Sequence, residues 1–269
     1  MDIPFEKLQN IELWFNGHNR KVIIALSGGI DSRLVAFLSR KYLGKKNTLA
    51  VISASPSLKH NDLEIAKRFC NENDINLEII KTKEIEDANY YTNPVNRCYF
   101  CKSYLYSELR TLGEKFPGAT IINGQNFDDF NDYRPGIKAA NEFQIMAPLA
   151  DCKLTKNDVR TIAKYFNLQT WNKPASPCLS SRIPYGEEVT VKKLKQIESA
   201  ENLLNALGFT EVRVRYYQNT AKIEVPAERI DELIKIKSII ENEIVQIGFS
   251  SCEIDNEGFI SGKLNRVLV

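Results

Sequence analysis

The stretch "KVIIALSGGIDSRLVAFLSRKYLG", residues 21–44, decides how the chain is read. Its first six residues are a short apolar run of the kind a buried parallel strand uses. After Ser32, the apolar residues Leu34, Val35, Leu38 and Tyr42 recur at helical spacing, and Gly44 stops the helix. Between strand and helix lies "SGGIDS", residues 27–32. A strand-to-helix turn of this kind makes an anion site. Gly28 and Gly29 let the backbone approach a phosphate, the N–H groups of the helix start point at it, and the helix dipole favours negative charge. Ser27 and Ser32 add hydroxyl donors. Asp31 would repel a bare phosphate, but suits a Mg²⁺ held between it and the phosphates. The plainer alternative is a Gly-Gly turn with Ser and Asp as helix caps. There is no Walker A lysine and no G-x-G-x-x-G.

Outward from this unit the pattern repeats. "TLAVISAS" (48–55), "NLEIIKT" (76–82) and "TIINGQN" (120–126) read as strands, and "IMAPLA" (145–150) as a short one. "NDLEIAKRFCNEND" (61–74) reads as a helix with Leu63, Ala66, Phe69 and Cys70 on one face. "CKSYLYSELRTLGEKF" (101–116) reads as a helix through Leu105, Leu109, Leu112 and Phe116, and "KNDVRTIAKYFNL" (156–168) as one capped by Thr155. Alternating strands and helices predict an α/β fold, a parallel sheet covered by helices. The pattern changes after about residue 175. "PASPCLSSRIPYGEEV" (174–189) has three prolines and no periodicity, so it reads as a linker or active-site loop. A helix over 190–207, a strand pair "VRVRYY" (212–217) and "AKIEVP" (221–226), a helix over 227–247 and a strand near "SSCEID" (250–255) then predict a smaller α+β domain. The expected domains are 1–175 and 176–269.

The chain has 269 residues, 43% of them hydrophobic and 26% charged, which is ordinary for a globular protein. No run of about 18 apolar residues is present, so no membrane span is expected. "MDIPFEKLQN" shows no signal peptide, and a cytoplasmic location is the expectation. A net charge of +2, with only local clusters such as "VKKLK" (191–195), argues against nucleic acid as a partner.

Two cysteine features stand out. "NRCYFCKS" (96–103) places Cys98 and Cys101 three apart, and in a reducing compartment a C-x-x-C is a metal or redox motif rather than a staple. A dithiol pair, a zinc site and two ordinary buried thiols all stay open. Zinc is short of ligands: of two histidines, His18 precedes the first strand and His60 falls in a loop. Cys178 sits in the Pro-rich loop beside Ser180, Ser181 and Arg182, and an adjacent arginine lowers a thiol pKa. Cys70, Cys152 and Cys252 fit the reading of small apolar residues. On "VRVRYY", Arg213 and Arg215 share one strand face, which suits a phosphate or a solvated face with cross-strand pairs.

"SGGIDS" resembles the S-G-G-x-D-S pyrophosphate loop of the N-type ATP pyrophosphatases, a superfamily that includes GMP synthetase, NAD synthetase and tRNA thiolases. The segments "NDYRPGIKA" (131–139), "LQTWNKPAS" (168–176), "SSRIPYG" (180–186), "LGFTEVRVRY" (207–216), "AKIEVP" and "GFISGKLN" (258–265) together resemble the LarE family of ATP-dependent sulfur transferases, over nearly the whole chain. This resemblance implies an enzyme that adenylates a carboxylate of a pyridinium dicarboxylate mononucleotide, releases pyrophosphate and inserts sulfur, in nickel-pincer nucleotide cofactor biosynthesis. It implies that Ser27, Gly28, Gly29, Asp31 and Ser32 hold the pyrophosphate of ATP and its Mg²⁺. Ser181 and Arg182 would lie near the phosphates or the acyl-adenylate, and Arg213 and Arg215 would bind the substrate phosphate. Glu201 and Glu224 match acidic positions linked to metal or substrate binding, with surface charges as the alternative. Asn131, Asp132, Tyr133 and Arg134 form a polar loop without individual roles. The best-known members carry one sacrificial cysteine where this chain has Pro177, and no C-x-x-C. This chain resembles instead the three-cysteine subgroup, in which Cys98, Cys101 and Cys178 hold a 4Fe-4S cluster, Cys178 also being the catalytic thiol. A homo-oligomer is implied. A tRNA base as acceptor, or a non-catalytic nucleotide- or metal-binding protein, are the competing readings.

Overall fold

The computed structural model describes residues 4–18, 21–131, 134–169, 171, 176–260 and 263–268. The chain forms two compact units, one of Met1–Glu84 and Asn96–Ser176, the other of Ile85–Val95 and Pro177–Val269.

In chain order the elements are α1 (Phe5–His18), β1 (Val22–Leu26), α2 (Ile30–Leu43), β2 (Thr48–Ser53), α3 (His60–Glu72), β3 (Asn76–Ile80), α4 (Ala88–Tyr91), α5 (Arg97–Glu114), β4 (Thr120–Ile122), α6 (Pro135–Glu142), α7 (Pro148–Asp151) and α8 (Lys156–Tyr165). These are followed by α9 (Val191–Ala206), β5 (Arg213–Tyr217), β6 (Thr220–Glu224), α10 (Ile230–Lys235), α11 (Lys237–Ile247) and β7 (Ser251–Ile254).

The first unit holds a parallel sheet of order β3-β2-β1-β4. Its central strand explains the unbroken apolar run in the sequence. Val22, Ile24 and Leu26 enter a core with Leu34, Leu38, Val159 and Ile162 on one face. Ile23 and Ala25 enter a second core with Tyr106, Leu109, Ala139 and Ala140 on the other. A strand buried on both faces has no polar position to alternate with. Thr155 caps α8 through a complete capping box with Asp158.

In the second unit β5 and β6 pair antiparallel, and β7 lies parallel to β6. Gln218 and Asn219 make the hairpin turn, both in the left-handed region at φ 46° and 69°, as a two-residue turn of this twist requires. Among the described residues no helix is long and apolar enough to cross a membrane.

Four local expectations need revision. Only Met146 of "IMAPLA" bridges to Ile122, because Pro148 opens α7 at a position where its missing N–H costs nothing. Helix α5 begins at Arg97 rather than Cys101, so Cys98 lies on the helix together with Cys101. His60 opens α3 instead of lying in a loop. The helix over 227–247 divides into a 3₁₀ turn (Ala227–Arg229), α10 and α11, breaking at Ile236.

Candidate active site

In the first unit, β1 ends at Leu26 and the chain turns through Ser27–Gly29 into α2. Gly28 has φ +76°, and a Cβ there would stand 2.9 Å from the Asp62 carbonyl oxygen. Conformation and space both demand glycine. Gly29 has an ordinary φ of −73°, and a Cβ would meet only Ser27 Oγ, at 3.5 Å. The fold leaves room there, so ligand approach is the remaining reason for glycine. The Ser32 hydroxyl accepts the Ser27 N–H at 3.1 Å and donates to the Gly29 carbonyl at 3.0 Å. It braces the loop, while Ser27 and Gly29 are exposed. The first-turn N–H groups of α2 have no intrahelical acceptor, which makes the loop an anion cradle.

Asp31 stands at the edge of this cradle. Its Oδ1 accepts from Asn126 Nδ2 at 3.1 Å, and its Oδ2 pairs with Lys156 Nζ. Asn126 belongs to the segment that follows β4. The same segment carries Gly124, where a Cβ would lie 2.5 Å from Ser32 N, so only glycine lets the chain press against the start of α2. The Asn126 N–H also donates to Asp129, which pairs with Arg134 at 2.9 Å. Burial pushes the Asp129 carboxyl above its ordinary pKa, and the Asp31 charge adds to this, against the opposing pull of Arg134. β1 neighbours both β2 and β4, so these groups lie at the C-terminal ends of strands where the order reverses, the position ligands favour in such sheets. Gly124, Asn126 and Lys156 are site residues that sequence reasoning missed. The signal was "NGQN" directly after the fourth strand. Asp132 and Tyr133 lie outside the described residues.

In the second unit, Cys178 is half-buried and caps a 3₁₀ turn, Leu179–Arg182. Arg182 is 1% exposed. Its Nη1 donates to the carbonyls of Pro177 (2.8 Å) and Cys178 (3.2 Å) and to Ser181 Oγ (2.9 Å). The Ser181 hydroxyl donates to the Cys178 carbonyl at 2.7 Å. Both residues therefore grip the backbone of the cysteine rather than its sulfur. Ser180 and Tyr90 share a buried hydroxyl hydrogen bond of 2.7 Å, and Asn93 Nδ2 donates to the carbonyls of Ile183 and Pro184.

Glu201 and Glu224 are each 2% exposed, so neither is a surface charge. Glu201 binds Arg182 and accepts the Val214 N–H at 3.2 Å. Glu224 binds Arg215 at 2.9 Å, and Arg215 also donates to the Ser181 carbonyl at 2.6 Å. Arg213 differs. It stacks on Phe259 at 4.1 Å and hydrogen-bonds neither carboxylate among the described residues. Burial lowers its pKa to about 10, with Arg182 and Arg215 adding repulsion. Glu224 and Glu201 pull the other way, without a hydrogen bond to Arg213 among the described residues.

Cys98 is exposed and Cys101 half-buried, three residues apart on one side of α5. Their soft thiols one turn apart suit two ligands of a thiolate-bound group. They belong to the first unit and Cys178 to the second. Among the described residues, no three His, Cys, Asp or Glu are grouped to hold a metal ion. Cys70, Cys152 and Cys252 have their thiols pushed up by burial, to about 12, 11 and 11.

Sheet order, glycine loop and Asp31 together define a PP-loop nucleotide enzyme, and the NAD synthase family matches residues 12–100. The chain is 45% identical to an uncharacterized protein of Synechocystis, over 97% of this chain and 98% of that one. It is 33% identical to the pyridinium-3,5-bisthiocarboxylic acid mononucleotide synthase of Lactiplantibacillus plantarum, over 93% of this chain and 90% of that enzyme. An uncharacterized protein of Methanocaldococcus jannaschii is 33% identical, over 89% of this chain and 90% of its own length. The chain belongs to the LarE family, and it is an ATP-dependent sulfur transferase that uses ATP and Mg²⁺. The Asp31 carboxylate at the cradle fits a Mg²⁺ bound through one carboxylate and the nucleotide phosphates.

Proposed function

We propose that the acceptor is a pyridinium dicarboxylate mononucleotide and that the reaction runs in two half-steps. A carboxylate oxygen attacks the α-phosphorus of Mg-ATP, the bond to the bridging oxygen breaks, and pyrophosphate leaves. A sulfur nucleophile then attacks the acyl-adenylate carbonyl, the bond to AMP breaks, and a thiocarboxylate remains. Adenylation supplies the leaving group that a bare carboxylate lacks. The observation that carries this reading is Arg213, a buried guanidinium that hydrogen-bonds neither neighbouring carboxylate among the described residues and so suits the substrate's own phosphate. The name of the Lactiplantibacillus relative supports the acceptor.

In this reading Ser27, Gly28 and Gly29 cradle the pyrophosphate, Ser32 braces them and Asp31 takes Mg²⁺. Arg213 and Arg215 take the substrate phosphate. Residues 1–175 carry adenylation, and residues 176–269 carry substrate recognition and oligomer contacts. Ser181 and Arg182 position Cys178, which delivers sulfur. If Cys178 gives its own sulfur, a thioester forms, the Cα proton is lost to a base, the Cβ–S bond breaks and dehydroalanine remains. If Cys98, Cys101 and Cys178 hold a 4Fe-4S cluster, that group supplies sulfide from outside the polypeptide and spares the cysteines. The soft donors at Cys98 and Cys101 support the second form. A C-x-x-C motif suits the reducing cytoplasm, and the enzyme acts as a homo-oligomer without membrane or nucleic-acid partners.

The test is pyrophosphate release from Mg-ATP that depends on the mononucleotide, with mass spectrometry for replacement of oxygen by sulfur. No release above the ATP-only rate after anaerobic reconstitution removes the acceptor. Iron and labile sulfide that persist in Cys98→Ala remove the cluster. Release driven by tRNA instead moves the enzyme to base thiolation.

A further inference from the structure

A pocket of about 170 Å³ lies between α2, α3 and the turn after α8, and it includes none of the residues of the pyrophosphate loop. Arg33 lines it and is 2% exposed. The guanidinium Nη1 donates to the Gln169 carbonyl at 3.0 Å, while Nε makes no hydrogen bond among the described residues. Phe69 covers one face of the group at 5.8 Å. A buried donor on a charged side chain is costly to leave unmatched, so it calls for an acceptor. Burial lowers the pKa of Arg33, against the raising pull of Asp62 and Asp31.

The rest of the lining says what that acceptor is attached to. Ile65, Phe166 and Leu168 make apolar walls, and Arg68 and Glu72 add one charge of each sign. With Arg33 the lining carries two cations and one carboxylate, and the Asp62 and Asp31 charges offset part of the positive charge, which disfavours a phosphate dianion. The Nε edge of a guanidinium, taken with an Nη, is the fork that matches a carboxylate. The volume is close to the roughly 150 Å³ of a cavity that accepts benzene. We propose that this pocket binds a ring-sized aromatic monocarboxylate, with its carboxylate on the free edge of Arg33 and its ring against Phe69 and Phe166.

Arg33 directly follows Ser32, in the first turns of the helix that cradles pyrophosphate. A carboxylate on Arg33 cancels a positive charge beside that cradle and so weakens ATP binding, and by linkage ATP weakens the carboxylate equally. This proposal concerns binding alone and stands apart from the identity of the sulfur acceptor.

The experiment titrates the full-length protein with benzoate at constant ionic strength, with chloride as the balancing ion and benzyl alcohol as the uncharged analogue. Thermal unfolding and ATP affinity are read together. Benzoate is expected to raise the Tm saturably, chloride and benzyl alcohol are not, and saturating benzoate weakens ATP binding severalfold. Arg33→Met abolishes the response. Ile65→Trp fills the pocket while keeping Arg33, so it also abolishes the response but leaves ATP affinity without benzoate unchanged. If Arg33→Met does not fold, Ile65→Trp decides alone. A benzoate effect no larger than that of chloride, or one undiminished in Ile65→Trp, overturns the site. Unchanged ATP affinity at saturating benzoate overturns the coupling.

Discussion

Arg182 donates through Nε to Glu201 at 2.8 Å, and the two side chains are only 2% and 3% exposed. The pair ties the turn beneath Cys178 to α9. Removing one partner of a buried pair strands the other charge, so Glu201→Ala is expected to cost about 3–5 kcal/mol of stability. Glu201→Gln keeps an acceptor for Arg182 and for the Val214 N–H, and is expected to cost clearly less. Denaturant unfolding of the two variants measures this, and equal losses would show that the charge contributes nothing.

Gly28 and Gly29 separate conformation from ligand access. Gly28→Ala forces a left-handed alanine, which costs about 1–2 kcal/mol, and pushes its Cβ onto the Asp62 carbonyl. Gly29→Ala is expected to keep stability within about 0.5 kcal/mol and to lose ATP affinity. Calorimetric ATP titration beside unfolding curves checks both. An unaltered ATP affinity in Gly29→Ala would sink the role given to that glycine.

Gly124 and Lys156 support Asp31 from two other segments. Gly124→Ala drives a Cβ into Ser32 N and is expected to lower both stability and pyrophosphate release. Lys156→Met removes a half-exposed ion pair and is expected to cost less than about 1 kcal/mol. It nonetheless changes the Mg²⁺ dependence of pyrophosphate release, because Asp31 loses its competing cation. A Mg²⁺ titration with the Lys156→Met enzyme reads this directly.

On the proposed role of Arg213 in binding the substrate phosphate, a hydrogen bond to a charged group contributes about 1.5–3 kcal/mol. Arg213→Met is therefore expected to raise the KM for the mononucleotide about ten- to a hundredfold. Stability is not expected to fall correspondingly, since the substitution relieves repulsion from Arg182 and Arg215. A fall in kcat at unchanged KM would place Arg213 elsewhere in the mechanism.

The buried thiols give a pH dependence. Cys70, Cys152 and Cys252 have folded-state values of about 12, 11 and 11, raised from 9.0. The neutral thiol is favoured by folding, so its contribution is complete below pH 9 and is lost as pH rises towards 11–12. Stability is expected to fall over that window, and less steeply in Cys70→Ala. Alkylation near neutral pH followed by peptide mapping should label Cys98 before Cys70 and Cys252.

The strand, loop and helix over 21–44 were legible because their signals are local: an apolar run, two glycines and a helical period. Thr155 was legible for the same reason, since a capping box spans four residues. The support for Asp31 was not, because Asn126 and Lys156 reach it from 95 and 125 residues away. Glu201 and Glu224 read equally well as surface charges, since no periodicity tells a buried ion pair from a solvated face. Their burial follows from Arg182 and Arg215, which only the tertiary fold brings alongside. The start of α5 was misplaced because the residues before Cys101 are polar and aromatic and show no apolar stripe.

The second unit is assembled from two stretches of chain, Ile85–Val95 and Pro177–Val269. Tyr90 and Asn93, 1% and 0% exposed, sit in the short stretch, while their partners Ser180 and Ile183 sit in the long one. A cut after residue 176 therefore does not yield two self-sufficient pieces. The amino-terminal fragment would keep a buried tyrosine and asparagine belonging to the other half, and the carboxy-terminal fragment would lack the strap that closes its cysteine loop. During synthesis the strap emerges from the ribosome well before the segment it must grip, so the loop that presents Cys178 cannot close until the chain has been made past Pro184.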